Sequence, residues 1–535
     1  MCIRGCISFV KKRRKDIVEE RLSNKKTYTY RKMDFYVDRG QRADAIDVAD
    51  KCAEGILHLW DKFYLDSNNC KGNVFCHQFE GSDVISQKEY LFAMDYLTCV
   101  LTAYRRTGKE IYKDTFEKYM NQFYDYLKMN EPFYEALSVY SQILLFIKSL
   151  DVLECIPHQK FFCELLRKYS YWLVDTNNYE NYDNHGMFQN IALLHLSVLF
   201  ESEAEASFWQ RCAIERIQRL FQDTYYNDFT NNENSILYFE YNNFLYEEAI
   251  QFCRYYNISG LMEIEKKLEL AKAAFITLAH RDGSMPLIGD GRTLQIAGSN
   301  NKSQLFADIG IAVLKVEETY LSFKNRTIYQ FHAHVDVSSI TARYKHIDFL
   351  MDTGQYNYDR YTPINRYVRS ATGHSGIFPL YADNLFQKEF CDSLQYSNIT
   401  AYEENEEKAF VKGEYKLNDV SVCREISVFA HEIVVRDSWQ CEKPTTMRQR
   451  FVIPKTMIEN ANFTVSRRTL ETAVDKVRFR FEISSDLPDA LTVVQFGIAA
   501  PDYYAYEETM LLDTFAENTL SGNITARITF EEEES

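Results

Sequence analysis

The chain has 535 residues, 46% hydrophobic and 15% aromatic, with 61 Lys+Arg against 77 Asp+Glu and a formal net charge of −16. At roughly 100–200 residues per domain, that length predicts two or three domains with sizeable cores. Only 19 Gly and 9 Pro exclude a collagenous or linker-rich chain, and the acidic balance excludes a general nucleic-acid binder while leaving room for an anionic ligand at a locally positive site.

The chain opens on Met1-Cys-Ile-Arg-Gly-Cys-Ile-Ser-Phe-Val10 and continues Lys11-Lys-Arg-Arg-Lys15. A secretory signal carries its basic residues before its apolar stretch, and here the order is reversed, so a cytoplasmic location is expected. Residues 1–40 read as a solvated basic extension. No window approaches the ~18 apolar residues of a membrane helix. The 13 cysteines form no CxxC pair, which fits reduced thiols better than a disulfide framework or a Cys-rich zinc site.

Residues 41–307 read as helical. Apolar side chains recur at three- and four-residue spacings over 46–63, 89–104, 133–150, 160–173, 186–200 and 246–279. Polar clusters such as Asp175-Thr-Asn-Asn-Tyr-Glu-Asn-Tyr-Asp-Asn184 separate several of them. Eight or more amphipathic helices predict an (α/α) toroid or a bundle. After the loop Arg281-Asp-Gly-Ser-Met-Pro-Leu-Ile-Gly-Asp-Gly291 the period falls to two, clearly so over 346–351, 420–429, 432–437, 476–483 and 524–530. Few helices interrupt these runs, so residues 308–535 are expected to form an antiparallel β-sandwich. The fold class is therefore α+β and multidomain, with a ligand cleft expected at the junction.

Of the 11 histidines, four invite chemistry: His185, His332, His334 and His374. His332 and His334 lie two apart in Tyr329-Gln-Phe-His-Ala-His-Val-Asp336, which reads as a strand and would send both imidazoles and Asp336 to one face. His334, Asp352 and His374 are a donor set suited to zinc, although spacing alone does not bring them together. Asn184 stands where a polar loop meets an apolar helix and is also a candidate N-cap. Glu233-Asn-Ser-Ile-Leu-Tyr238 marks a second helix start.

Taken in order, Asn184-His-Gly-Met-Phe-Gln189, Glu233-Asn-Ser-Ile-Leu-Tyr238, Asp282-Gly-Ser-Met-Pro-Leu-Ile-Gly-Asp290, His332-Ala-His-Val-Asp336, Asp352-Thr-Gly-Gln-Tyr-Asn-Tyr358 and Arg366-Tyr-Val-Arg-Ser-Ala-Thr-Gly-His374 resemble the heparinase II/III-like polysaccharide lyases. The resemblance is dense over 310–377 and patchier over 175–290. It implies an (α/α) toroid followed by an antiparallel β-sandwich, and β-elimination on a uronic-acid polysaccharide. Asn184, with His185, would then neutralise the uronate carboxylate, Tyr238 and His332 would handle protons, and His334, Asp352 and His374 would hold a structural zinc. One departure is His374-Ser375, where many relatives have His-Asn; another is the lack of a visible export signal.

Such residues suit the reaction. A donor held against the uronate carboxylate stabilises the enolate that develops as the C5 proton leaves, while a base takes that proton and an acid protonates the O4 leaving group. An anionic chain also needs cations inside an acidic protein. Arg360, Arg366 and Arg369, set among Tyr356, Tyr358, Tyr361 and Tyr367, are the candidates, with Arg292 in addition. The expected function is thus a polyuronide lyase acting on an anionic polysaccharide or oligosaccharide. The alternatives are a uronyl C5-epimerase and an inactive glycan-binding or polysaccharide-assembly protein.

Overall fold

A computed structural model describes residues 30–532 apart from 61, 154, 183, 330–331, 460–463 and 467. Most of the expected basic extension, residues 1–29, lies outside the described residues. The described chain begins with helices α1 Ala45–Ala53, α2 Val84–Ala93, α3 Asp95–Thr107, α4 Glu110–Met129, α5 Ala136–Val152, α6 Gln159–Val174, α7 Asn184–Leu199, α8 Ala206–Thr224, α9 Ile236–Tyr255 and α10 Met262–Leu278. Among the described residues, no helix is long and apolar enough to cross a membrane.

Three of the expected helices are shorter than their periodicity. The run 46–63 stops at Ala53, because Gly55 takes φ +95° and Ile56–Trp60 leaves as strand β1. That strand pairs antiparallel with β2, Phe63–Asp66. The run 89–104 breaks at Met94, whose φ of 57° is left-handed, so α2 and α3 meet at a corner. The run 246–279 breaks at Asn257 and Gly260, with φ of 55° and 120°. Helices α4 and α8 were not singled out from the sequence; both are amphipathic and bury one face, as Phe116, Tyr119 and Phe123 do in α4.

Beyond residue 303 the structure is built mainly from strands. Strands β3 Gln304–Phe306, β4 Ile311–Val316, β5 Thr319–Lys324, β6 Ser339–Tyr344 and β7 Ile347–Leu350 form a five-stranded sheet in sequence order, antiparallel throughout. A ten-stranded antiparallel sheet takes the rest, including the 22-residue strand Glu432–Ile453 and the 28-residue strand Ala505–Glu532, which pair along most of their length. The small sheet is buried on both faces, and its period of two divides it between two cores. Ile311, Val313 and Tyr320 join the helical core, whereas Ala312, Leu314, Leu321 and Phe323 pack with Val411, Ile426 and Phe451 of the large sheet. Helices, small sheet and large sheet are therefore successive layers, and the loops of the small sheet open beside the helix ends.

One buried histidine ties the first described segment to the helices. His195 in α7 contacts the Ile191 carbonyl through Nδ1 at 2.8 Å, and its Nε2 accepts the N–H of Val37 at 3.2 Å. Both bonds together require the neutral ring with its proton on Nδ1, and burial lowers its pKa from 6.5 to about 4. Between those values the unfolded chain binds a proton that the folded chain does not. Stability is thus lost as pH falls through this window, by up to about 1.4 kcal/mol per pH unit for this ring. Urea unfolding of His195→Gln is expected to show a shallower fall in midpoint between pH 7 and 5 than the wild type. Equal slopes would remove this ring from the pH dependence.

Candidate active site

The site is assembled around the loop that joins the helical and strand regions. Ser235 caps α9 by accepting the N–H of Tyr238 at 3.2 Å, which places Tyr238 in the helix's first turn. The Ser235 hydroxyl donates in turn to the carbonyl of Asp290. Ile236 N–H donates to the Ile288 carbonyl at 3.2 Å, and Asp290 N–H donates to the His332 carbonyl at 2.9 Å. Gly289 takes φ +70°, and a Cβ there would lie 2.3 Å from the Asn234 carbonyl oxygen and 2.9 Å from that of His332. Only glycine lets three backbones approach this closely.

The segment 332–336 is a loop between β5 and β6, not the expected strand. The two imidazoles still converge, because a carboxylate gathers them. His332 Nδ1 lies 3.1 Å from Asp290 Oδ2, and His334 Nε2 lies 2.9 Å from Asp290 Oδ1. Asp336 goes elsewhere, to a buried ion pair with Lys324 at 2.6 Å. Asp290 is 1% exposed. Burial alone would raise its pKa, but the Arg369 guanidinium and the bonds from both histidines hold it well below the usual carboxylate range.

The phenol of Tyr238 stacks on His332 with ring centroids 3.4 Å apart and planes within 14°. Its hydroxyl lies 2.8 Å from that of Tyr358, which Tyr503 reaches at 3.2 Å. Burial, with neighbouring phenols and Asp290, raises the pKa of Tyr238 well above 10, and burial does the same for Tyr358. These groups are neutral donors in the free protein. Around them stands an aromatic wall from both halves of the chain: Trp60 packs 5.0 Å from Tyr90, 5.5 Å from Tyr358 and 4.6 Å from Tyr503. Lys62 reinforces the junction by donating to Asp502 at 2.9 Å and to the Tyr503 carbonyl at 2.8 Å.

His334, Asp352 and His374 do come together. They are buried, with one candidate ligand atom from each lying within 4.8 Å of the others. His374 Nδ1 lies 3.0 Å from Asp352 Oδ1 but without hydrogen-bond alignment, and His334 Nδ1 and both His374 nitrogens have no hydrogen-bond partner among the described residues. Buried polar atoms without partners are costly, and two imidazoles and a carboxylate aimed at common space fit a divalent cation with nitrogen and oxygen ligands. Burial keeps His334 predominantly neutral, the form a ligand needs. Burial would also lower His374, but Asp352 beside it reverses the direction. Ser375, next to His374, is engaged: its hydroxyl accepts Val452 N–H at 2.9 Å, and its carbonyl accepts from Arg424 at 2.9 Å and from Ile340 N–H at 3.2 Å.

The other expected residues are placed differently. Asn184 lies within α7 as its first described residue, not at the expected N-cap, and is 7% exposed. His185 is engaged by carboxylates, 3.3 Å from Glu135 and 3.7 Å from Glu180. Arg369 is 8% exposed and turned onto Asp290, gripping both oxygens through one nitrogen. Arg366 is exposed, 4.7 Å over Phe386. Arg292 lies 5.7 Å over the Tyr503 ring. Arg360 is half-buried, where desolvation and the nearby Arg369 lower its pKa. Sequence reasoning missed Asp290, Trp60, Tyr90 and Tyr503. Asp290 had a signal, since it closes the motif that begins at Asp282; the aromatics had none among 38 Tyr, 37 Phe and 4 Trp. A separate hollow of about 390 Å³ on the large sheet, lined by Tyr396, Ser421, Ser438, Trp439 and Asn523 among others, contains none of these groups.

Known proteins share this architecture. Residues 298–506 match the family described as heparinase II/III-like, C-terminal. No curated protein matches the chain. A crystal structure of heparinase III aligns at a TM-score of 0.80 and 14% identity, covering 97% of this chain and 89% of that one. The heparan sulfate lyase HepC from Pedobacter heparinus aligns at 0.66 and 14% identity, covering 94% and 86%. A chondroitinase AC lyase aligns at 0.55 and 10% identity, covering 91% and 81%. Residues 298–506 thus match the heparinase II/III-like C-terminal family, in a chain that shares the heparinase III fold over nearly its whole length.

Proposed function

We propose that the protein is a polysaccharide lyase that cleaves a uronic-acid-containing glycan by β-elimination. The reading takes residues 41–307 as an (α/α) toroid domain and 308–535 as a β-sandwich domain, with the reaction at their junction. The stacked pair of Tyr238 and His332, backed by Asp290, carries it. The Nδ1–H bond to a carboxylate fixes the imidazole tautomer with its lone pair on Nε2, as a general base requires. A neutral phenol beside it is a proton donor.

In the proposed reaction Asn184 donates to the uronate carboxylate and stabilises the enolate. His332 Nε2 takes the C5 proton. The C5–H electron pair becomes the C4=C5 bond as the C4–O4 bond breaks, and the Tyr238 hydroxyl protonates O4. The stacked rings allow the proton on His332 to return to the phenolate, directly or through solvent. His185, held by Glu135 and Glu180, steadies the start of α7 and takes no part in these transfers. Arg360 and Arg292 supply positive charge at the cleft, whereas Arg369 positions Asp290. Zinc fits His334, Asp352 and His374, and when bound it supplies a fixed charge that ties together the loops carrying them.

A panel of uronate-containing oligosaccharides in deuterated water tests the reading. Ultraviolet absorbance from an unsaturated uronate is the expected result. Deuterium at C5 in intact chains would show an epimerase instead, and neither signal on glycans that bind would leave a binding protein. Tyr238→Phe and His332→Ala are each expected to lower turnover by about 10²- to 10⁴-fold; full activity in either would remove that residue from the chemistry.

Metal analysis of the purified wild type is expected to find about one zinc per chain, with little in His334→Ala or His374→Ala, since each would leave two of the three protein ligands typical of an open site. Unchanged metal content in both variants would refute the site.

A further inference from the structure

We propose that Asp290 is a positioning residue that couples metal loading to the geometry of the proton-handling pair, a step that rests on the lyase reading above. One carboxylate meets both systems: Oδ1 holds His334 Nε2, which turns Nδ1 of that ring toward His374 and Asp352, and Oδ2 holds His332 Nδ1, which fixes the ring against Tyr238. The carboxylate cannot swing to serve one ring alone. Arg369 grips both oxygens, Asp290 N–H is bonded to the His332 carbonyl, and the Asp290 carbonyl is bonded to Ser235 at the start of α9. With Asp290 1%, His332 5% and His334 0% exposed, little surrounding space allows one ring to move without the others. A cation that fixes His334 therefore fixes Asp290, and through it the plane of His332.

Asp290→Asn separates these functions with little change of shape. An amide has one acceptor oxygen and one donor nitrogen, so it cannot take an N–H from each imidazole and also neutralise Arg369. Three readouts apply to the full chain: zinc affinity by competition with a chromophoric chelator, the rate of diethyl pyrocarbonate modification at His332 localised by peptide fragmentation, and turnover. In the wild type, zinc removal is expected to speed modification of His332 several-fold. In Asp290→Asn, zinc binding is expected to weaken about 10- to 100-fold, His332 is expected to react fast with or without zinc, and kcat is expected to fall with little change in KM. Arg369→Lys keeps the charge but loses the planar guanidinium and its second nitrogen, which donates to the Ala333 carbonyl at 3.4 Å, so smaller shifts in the same direction are expected; it decides the matter if Asp290→Asn does not fold. Wild-type zinc affinity in both variants, no zinc binding by the wild type, or modification of His332 indifferent to zinc in the wild type would overturn the coupling. Coupled binding and labelling without product from any uronate would instead remove the lyase reading and leave the coupling standing.

Discussion

A buried carboxylate is the constraint on which the rest of this site depends. Removing an ion from water costs several kcal/mol even after the protein relaxes, and a pair repays that only with good geometry and further hydrogen bonds. Asp290 meets both conditions, with Arg369 on one side and two imidazoles on the other. The loops and helix start that supply these partners also meet through their backbones, as where Val335 N–H donates to the Arg369 carbonyl at 3.0 Å. Residues 281–291 leave the helices, 332–336 lie in the loop between β5 and β6, and 369–374 follow the small helix Pro363–Val368, yet all three are fastened to one side chain. The local close packing at Gly289 follows from the same demand, because the carboxylate reaches its partners only if its backbone passes between Asn234 and His332.

The electrostatics of the cleft follow from this arrangement. A net charge of −16 does not prevent binding of an anionic chain if the acidic groups near the cleft are neutralised or distant. Asp290 is ion-paired. Glu89, half-buried in α2, has its pKa raised to about 7 by burial and by the adjacent Glu135, so its carboxyl is partly protonated near neutrality. Arg292 and Arg360 remain near Tyr503 and Asp290, respectively. The tyrosines add donors without charge, since burial keeps Tyr238 and Tyr358 protonated. An acid role for Tyr238 needs no change in that state. A base role would require substrate or cation to reverse a large shift.

The order of helical and strand regions was legible in the sequence because two periods, 3.6 and 2, dominate successive halves. Local breaks were less so. The corner at Met94 is a left-handed residue with no Gly or Pro to announce it, and the strand Ile56–Trp60 continues a helical hydrophobic pattern without a gap. His332 and His334 alternate as a strand would, but their convergence comes from a tertiary partner 42 and 44 residues away, which no local pattern encodes. Arg369 was read as a substrate contact because it stands in a run of arginines and tyrosines. Its neighbour Arg366 is exposed while Arg369 is buried, and which arginine turns inward is decided by the position of Asp290, not by spacing.

The large sheet holds the loop that carries His374. Three arginines project from its adjoining strands into the core, each paired with an aspartate: Arg424 with Asp437, Arg448 with Asp383 and Arg450 with Asp513. Each also donates to a carbonyl in the loop around His374, Arg448 to Ala371, Arg450 to Thr372 and Arg424 to Ser375. The single 3-10 turn Ala371–Gly373 is too short to satisfy the loop's buried carbonyls, which need partners from elsewhere. Guanidinium groups meet that need while their carboxylates balance the charge. Ser375 is held in the same way, because its small hydroxyl takes the N–H of Val452 while Arg424 holds the carbonyl. The backbone around His374 is thereby fixed from the sheet side, and the imidazole of His334 from the helix side through Asp290. A cation bound between them would link the two layers.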